Sequence, residues 1–277
     1  DSGDGVEFHG GFPQVKKGVN VQGSIQPGLE LGECGLTGYA LLFAVARHQH
    51  HIGRNVAPLR VHSLTDSRLK TVKGVNAGYA SIVVGMGQGP LTTDKGFANQ
   101  GDVLIKARQA SDLLGGTKMD RPEWLAIDPN ARTVYCTLTN NSQRGAPGRP
   151  AVDAANPRAN NLGGHIMRWT EAGADAAATT FTWSHFVLAG DPAVPGTDAR
   201  YPSPQADAFG APDGLHFDSA GLLWIQTDMS GQAIGKGTYA NLGNNALLCA
   251  DLATGSIKRF LTGPNGSEIT GCVVTPD

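Results

Sequence analysis

From about residue 118 onward, short apolar runs alternate with turns rich in Gly, Pro, Asn and Asp. The pattern occurs in WLAIDPNARTVYCTL, GGHIMRWTEAG, TFTWSHFVLAG, DGLHFDSAGLLWIQTD and NALLCADLATGSIKRFLTG. Short runs bounded by turn residues are typical of β-strands, and closely spaced strand pairs favour antiparallel sheets. The sequence therefore predicts an all-β fold.

One segment before these strands has a helical period. Its apolar positions, which recur on one face of a helix, are Val103, Ala107, Ala110 and Leu114. The pair Gly115–Gly116 supplies a C-terminal stop. We therefore predict one short helix near residues 102–114. Residues 1–85 are rich in glycine and weakly patterned, and they support no assignment.

Two of the predicted hairpins are versions of one another. The segments RPEWLAIDPNARTVYCTL and APDGLHFDSAGLLWIQTD share a proline, an acid, an apolar strand, an Asp-led turn and a second apolar strand. Glu123 and Asp213 hold the same place, 213 − 123 = 90 residues apart. A partial third copy, SEITGCVVTPD, aligns Gly271 with Gly214 and puts Glu268 where the first copy has Arg121.

A recurring sheet unit whose inner strand begins with a polar residue is typical of a β-propeller. Blades of about 40–50 residues would make the 90-residue interval equal to two blades. We predict a single β-propeller domain over residues 1–277 with about six blades. The sequence leaves open that this domain is incomplete and belongs to a longer chain.

Net charge and hydropathy argue against two kinds of partner, nucleic acid and the membrane interior. The formal net charge of −2 offers no polycationic surface for nucleic acid. No apolar run approaches the roughly 20 residues that a membrane helix needs. The four cysteines form no CxxC pair, and Cys136 and Cys249 lie in apolar runs, which predicts buried free thiols.

Candidate chemistry follows from where inner propeller strands begin. If Glu123, Asp213 and Glu268 all lie at one mouth of the axis, three carboxylates share a partly enclosed space. Carboxylates that close need a counter-ion, and calcium, which prefers oxygen ligands, is suited to the place. A trivalent iron would also accept them. Arg121 would point to the same mouth and could bind a phosphate through two parallel hydrogen bonds.

Simpler interpretations of the same residues remain open. An acid at the start of a strand is most often a turn or capping residue, and Arg121 beside Glu123 could be a surface ion pair worth under about 1 kcal/mol. The recurrence of the acid at the same place in the repeat favours the metal site, because turn chemistry alone does not require it.

At these residues the sequence resembles the PhoX-type alkaline phosphatases. The similar phrases are GQGPLTTDKGFANQGDVLIKARQASDLLGGTKMDRPEW, TLTNN, DAANPRANNLGGHIMRW, FVLAGDP, PDGLHFDSAGLLWIQTD and TGPNGSEITGCVVTPD. They extend from about Gly87 to the last residue, and phrases of this length make the resemblance specific.

The resemblance implies a six-bladed propeller with calcium and iron on its axis, which hydrolyses small phosphate monoesters. It implies that Glu123, Asp213 and Glu268 are metal ligands and that Arg121 contacts the phosphate. It also implies a metal-bound oxide or hydroxide as the nucleophile, and a protein that is exported to the periplasm or secreted.

Two other functions fit the same carboxylates. A calcium-dependent lactonase of the sugar-lactone propeller type has hairpins similar to PDGLHFDSAGLLW, but it would leave Arg121 without an obvious task. A propeller that binds calcium for stability alone, and a partner through its long loops, needs no catalytic residue.

Overall fold

The computed structural model describes the backbone of residues 19–20, 39–40, 59–63 and 76–84, and residues 86–275 except 88, 177 and 179. Regular structure in this part of the chain is mostly β-strand, which confirms the all-β prediction. The first strands are β1 (Val19–Asn20), β2 (Tyr39–Ala40), β3 (Leu59–Ser63), β4 (Asn76–Val84) and β5 (Lys118–Met119). The others are β6 (Pro122–Ile127), β7 (Val134–Leu138), β8 (His165–Glu171), β9 (Thr180–Leu188), β10 (Pro212–Phe217), β11 (Leu223–Thr227), β12 (Ala246–Asp251), β13 (Ser256–Thr262) and β14 (Val273–Val274).

Two antiparallel meanders dominate the described residues. In unit 1, β6 to β9, and in unit 2, β10 to β13, each strand pairs with the next one along the chain. The sheet of unit 1 continues from β9 to β4 and then β3, so it has six strands, whereas the sheet of unit 2 has four. Two short pairs, β1 with β14 and β2 with β5, complete the described pairing.

The two homologous hairpins belong to neighbouring units. The Thr137 hydroxyl in β7 accepts a hydrogen bond from Trp124 N (2.9 Å) and donates one to the Asp213 carbonyl (2.5 Å). Only β8 and β9 lie between the two hairpins in the chain. The 90-residue interval therefore corresponds to one unit, and the prediction of two blades for this interval is wrong. The long loops account for the difference, because they lengthen each unit without adding a strand.

Both units begin with the same backbone geometry. Arg121 and Ala211, each before a proline, have positive φ angles of 51° and 49°. Their carbonyl groups accept hydrogen bonds from the N–H groups of Thr139 (3.1 Å) and Asp228 (2.9 Å). A positive φ is uncommon for residues other than glycine. Its recurrence at the same place confirms that the repeat seen in the sequence is also a repeat of conformation.

A β-bulge follows at the start of each inner strand. Pairing is regular at Pro122 and at Pro212, and the register then shifts within the next three residues. The residues that directly follow the two prolines are Glu123 and Asp213. Bulges redirect side chains at the ends of sheets, and they are frequent beside functional sites.

The main core lies between the sheets of the two units. It combines buried residues of both, among them Tyr135, Ile166, Phe186 and Val187 from unit 1 and Leu215, Leu223, Ile225 and Leu248 from unit 2. Because neither sheet covers its inner face alone, the two units stabilise each other, and the relative position of their first strands is set by this packing.

The predicted helix forms, but as two short helices, α1 (Gln100–Ile105) and α2 (Ala107–Leu113). Asn99 caps the start: its side chain accepts a hydrogen bond from Asp102 N, and the Asp102 carboxylate accepts one from Ala98 N. The break lies at Lys106, whose ψ of 33° is not helical. Its ammonium donates to the Gly96 carbonyl at 2.7 Å. The periodicity could not predict this tertiary contact.

Two further predictions concern cysteines and membranes. Within the described residues Cys136, Cys249 and Cys272 are free, and the first two are buried, as the apolar runs predicted. Burial raises the pKa of Cys249 to about 12, so its thiol stays protonated at neutral pH. None of the helices described is both long and apolar enough to cross a membrane.

Candidate metal centre

Three carboxylates meet beside the start of β10 and the end of β11. Asp213, Asp228 and Glu268 each offer an oxygen atom, and these atoms all lie within 4.8 Å of one another. Asp213 and Asp228 are half-buried, and Glu268 is exposed. Carboxylate oxygens are the ligands that hard divalent cations such as calcium prefer. The donor set therefore fits such a cation, and it contains neither imidazole nor thiolate.

Each ligand candidate comes from a different segment, two of them in unit 2 and the third directly after it. Asp213 lies in the bulge of β10, and Asp228 follows the last residue of β11. The antiparallel pairing of Pro212 with Thr227 brings these two neighbours together. Glu268 lies in the segment between β13 and β14. The hairpin of β10 and β11 positions Asp213 and Asp228, whereas the position of Glu268 depends on how the segment between β13 and β14 packs.

Glu123 extends the negative charge towards unit 1. Its carboxylate lies outside the tight group, but its charge is the first electrostatic cause, after burial, that raises the pKa of Asp213. Glu123 Oε1 is 3.5 Å from Arg121 Nη2, and both side chains are more than a third exposed. An exposed ion pair of this length contributes little to stability.

Asp213, Glu123 and Glu268 hold their protons more tightly than isolated acids do. Burial, followed by the charges of Glu123, Asp228 and Glu268, raises the pKa of Asp213 to about 7. Burial also raises the pKa of Glu123 and of Glu268, with the Asp228 carboxylate adding to both shifts. Arg121 opposes the shift at Asp213, although it does not cancel it. A bound cation would favour the ionised form of all these groups.

Arg121 is held at the border of the two units. Its Nη1 donates to Asn140 Oδ1 at 3.1 Å, and its Nη2 faces Glu123. Its positive φ of 51° is a strained conformation that the surroundings must maintain. Because the side chain is 38% exposed, part of the guanidinium remains accessible to an anion.

A buried network supports the backbone next to Arg121. Asp120 is fully buried, and its carboxylate accepts hydrogen bonds from Arg144 Nε (2.8 Å), Asn141 Nδ2 (2.9 Å) and Asn161 Nδ2 (3.0 Å). A buried ion pair needs such additional hydrogen bonds to offset its desolvation. The network thus ties the long loop after β7, which carries Asn140, to the residue directly before Arg121.

The structure brings together most of the residues that the sequence singled out. Asp213 and Glu268 lie in the tight group, and Glu123 and Arg121 lie beside it within electrostatic reach. Asp228 was missed by sequence reasoning. The sequence did carry a signal for Asp228. An acid directly after the second strand of an antiparallel hairpin lies next to the start of the first strand. The roles of these residues as ligands or as a phosphate contact stay predictions.

Comparisons with known proteins identify the family of the chain. The described residues define an all-β protein with an acidic cluster suited to a hard cation. The sequence profile of the alkaline phosphatase PhoX family matches residues 52–277. The chain belongs to this family, which confirms the resemblance and extends it upstream of Gly87. A search of curated protein sequences finds no match.

A solved structure is similar over much of the chain. It is Pseudomonas fluorescens PhoX in complex with vanadate, a transition state analogue, with 41% sequence identity and a TM-score of 0.66. The match covers 77% of this chain and 36% of the solved chain. The aligned part of this protein thus corresponds to about a third of the length of its relative.

Proposed function

We propose that this chain forms part of a metal-dependent hydrolase of phosphate monoesters. The observation that carries the proposal is the group of Asp213, Asp228 and Glu268 in a chain of the PhoX family. That the Pseudomonas fluorescens protein was solved with vanadate, a transition state analogue, supports the same class of reaction for this chain.

Calcium is the cation that we assign to the three carboxylates, because it prefers oxygen ligands. When bound, it would supply Lewis-acid stabilisation of the charge that develops during phosphoryl transfer. Asp213, Asp228 and Glu268 would hold it, and Glu123 would add negative charge from unit 1. Iron as a second metal is proposed from the resemblance, and a trivalent iron also accepts carboxylate oxygens such as those of this group.

Arg121 is the residue that we assign to the substrate phosphate. Its guanidinium is partly accessible, lies beside the acids, and is oriented by Asn140. A planar guanidinium can form two parallel hydrogen bonds to one phosphate group. Residues Glu123 and Arg121 would then act as a pair, since the carboxylate limits the rotation of the guanidinium when the substrate is absent.

The propeller is the architecture that we propose for the whole protein. Units 1 and 2 are neighbouring four-stranded meanders whose first strands both begin near the acids, as adjacent blades do around an axis. An exported protein, periplasmic or secreted, is the location that the resemblance supports. A small phosphorylated compound is the proposed substrate, with no nucleic-acid or membrane partner.

Hydrolysis of p-nitrophenyl phosphate tests the function. We expect phosphate release by the purified chain in calcium, its loss on chelation, and its return when calcium is added back. The variant Glu268→Gln should lower the rate at limiting calcium. Cleavage of a lactone without phosphate release would favour the lactonase, and calcium binding without either activity would favour a non-catalytic propeller. Either result would overturn the proposal.

A further inference from the structure

Asn245 is a buried residue, 1% exposed, directly before β12, and its side chain makes four hydrogen bonds. Its Oδ1 accepts from Thr227 Oγ1 (3.1 Å) and Met229 N (2.6 Å). Its Nδ2 donates to the carbonyl groups of Met229 (2.9 Å) and Ser267 (2.9 Å). A primary amide has two acceptor sites and two donor hydrogens, so every one is used.

The four bonds end on the neighbours of two of the candidate ligands. Thr227 and Met229 flank Asp228, and Ser267 directly precedes Glu268. The Asn245 carbonyl also accepts a hydrogen bond from Gly263 N (2.8 Å), at the end of β13. One side chain therefore joins the hairpin that carries Asp228 to the separate segment that carries Glu268.

Comparison of the two units indicates that a unit can pack without a side chain at the position of Asn245. Strand registers make Asn245 of unit 2 equivalent to Gly164 of unit 1, and Asp228 equivalent to Thr139. A Cβ at Gly164 would approach the Thr139 carbonyl oxygen to 2.0 Å, so unit 1 has no room for a side chain there. The amide occurs in the unit whose second strand is followed by an acid.

We infer that Asn245 is a positioning residue that sets the distance between Asp228 and Glu268, and hence the affinity of the metal centre. The inference rests on the proposed function, because it requires these two carboxylates to share a cation. Preorganised ligands bind a cation more tightly, since the chain loses less conformational freedom on binding. Without the amide, the segment would lose the bond at Ser267, directly beside Glu268. Its other bonds to β11, from Ile269 N to the Thr227 carbonyl (3.5 Å) and from Gln226 Nε2 to Cys272 Sγ (3.4 Å), would remain, but they lie on the far side of Glu268.

The test measures calcium affinity and stability on the same proteins. In Asn245→Ala, we expect calcium to bind about 10- to 100-fold more weakly by isothermal titration calorimetry, as for other residues that orient metal ligands. The matched control is Tyr201→Phe. The Tyr201 hydroxyl also joins two backbone segments, at Gly190 and Phe209, but it flanks no candidate ligand. This control should lower the melting temperature and leave the calcium affinity unchanged.

The outcomes separate the inference from the proposed function. If the unmodified chain binds no calcium, the metal centre itself is refuted. If the unmodified chain binds calcium and Asn245→Ala binds it equally well while melting at a lower temperature, Asn245 is a structural residue only and the inference fails. Should Asn245→Ala not fold, Thr227→Val removes one of the four bonds, and an unchanged calcium affinity there would also refute the inference.

Discussion

At the scale of single residues, the metal centre depends on the balance of charge around Asp213. Burial and then three neighbouring carboxylates raise its pKa, and Arg121 opposes the shift. In the folded protein without metal, Asp213 holds its proton more tightly than in the unfolded chain. This group therefore makes the metal-free fold less stable as the pH rises from 3.8 to about 7. A cation reverses the effect, because it stabilises the ionised form.

Calcium affinity should rise with pH for this reason. A group of pKa about 7 is mostly protonated at pH 6 and mostly ionised at pH 8, so the proton competes with the cation at the lower pH. We expect about tenfold tighter calcium binding at pH 8 than at pH 6, measured by calorimetry. Asp213→Asn should weaken binding at both pH values and reduce the difference between them. Equal affinity of the unmodified chain at both would contradict the electrostatic account.

The substitution Arg121→Ala should separate phosphate binding from metal binding. The fold should tolerate alanine, because Ala211 occupies the equivalent place with almost the same φ. Hydrogen bonds to charged groups contribute about 1.5–3 kcal/mol, so inorganic phosphate should bind the calcium-loaded variant about 10- to 100-fold more weakly. Calcium affinity should not fall, since a nearby positive charge is lost. Unchanged phosphate binding would remove Arg121 from the site.

At the scale of elements, the two bulges and the hydroxyl between them position the acids. Thr137 is fully buried, and it joins the bulge of β6 at Trp124 to the bulge of β10 at Asp213. Glu123 and Asp213 are thus connected through one side chain of β7. The relative position of the two inner strands follows from this contact and from the shared core.

Thr137→Val tests the connection with almost no change of shape. The part-buried Trp124 N–H would lose its acceptor and the Asp213 carbonyl its donor, and the loss of one such hydrogen bond costs about 0.5–1.5 kcal/mol of folding free energy. We expect this loss in urea denaturation, together with weaker calcium binding. Thr137→Ser keeps the hydroxyl and should restore the calcium affinity. If the serine and valine variants bind calcium alike, the hydroxyl does not position the acids.

At the scale of the whole molecule, units 1 and 2 share one hydrophobic core. Each sheet covers the inner face of the other, so damage to one unit should spread to its neighbour. The tryptophans report on both, because Trp169 and Trp183 lie in unit 1 and Trp224 lies in unit 2, and all three are buried.

Leu215→Ala should therefore destabilise both units together. Leu215 is 3% exposed and lies in the shared core, and such truncations cost about 2–5 kcal/mol. Single-tryptophan variants that report on unit 1 or on unit 2 should show the same lowered midpoint in denaturant. Leu261→Ala, at a leucine of unit 2 that is 37% exposed, should have a much smaller effect. Separate midpoints for the two units would show that they fold independently.

The features that the sequence predicted by itself are those that residues close together in the chain determine. Alternating apolar runs specify strands, and the repeated proline and acid marked Glu123 and Asp213 as equivalent positions. The C-terminal stop of the helix was readable for the same reason, because Gly115–Gly116 acts within a few residues. Family membership also came from the sequence, because long phrases of residues match the PhoX pattern.

Only the tertiary structure decided which residues meet. It added Asp228 to the acids, placed Glu123 beside the tight group, and made the two hairpins neighbours. These features depend on loop paths, registers and packing between segments far apart in the chain. A local pattern of apolar and polar residues does not encode them, because it constrains a strand and its face but not its neighbour.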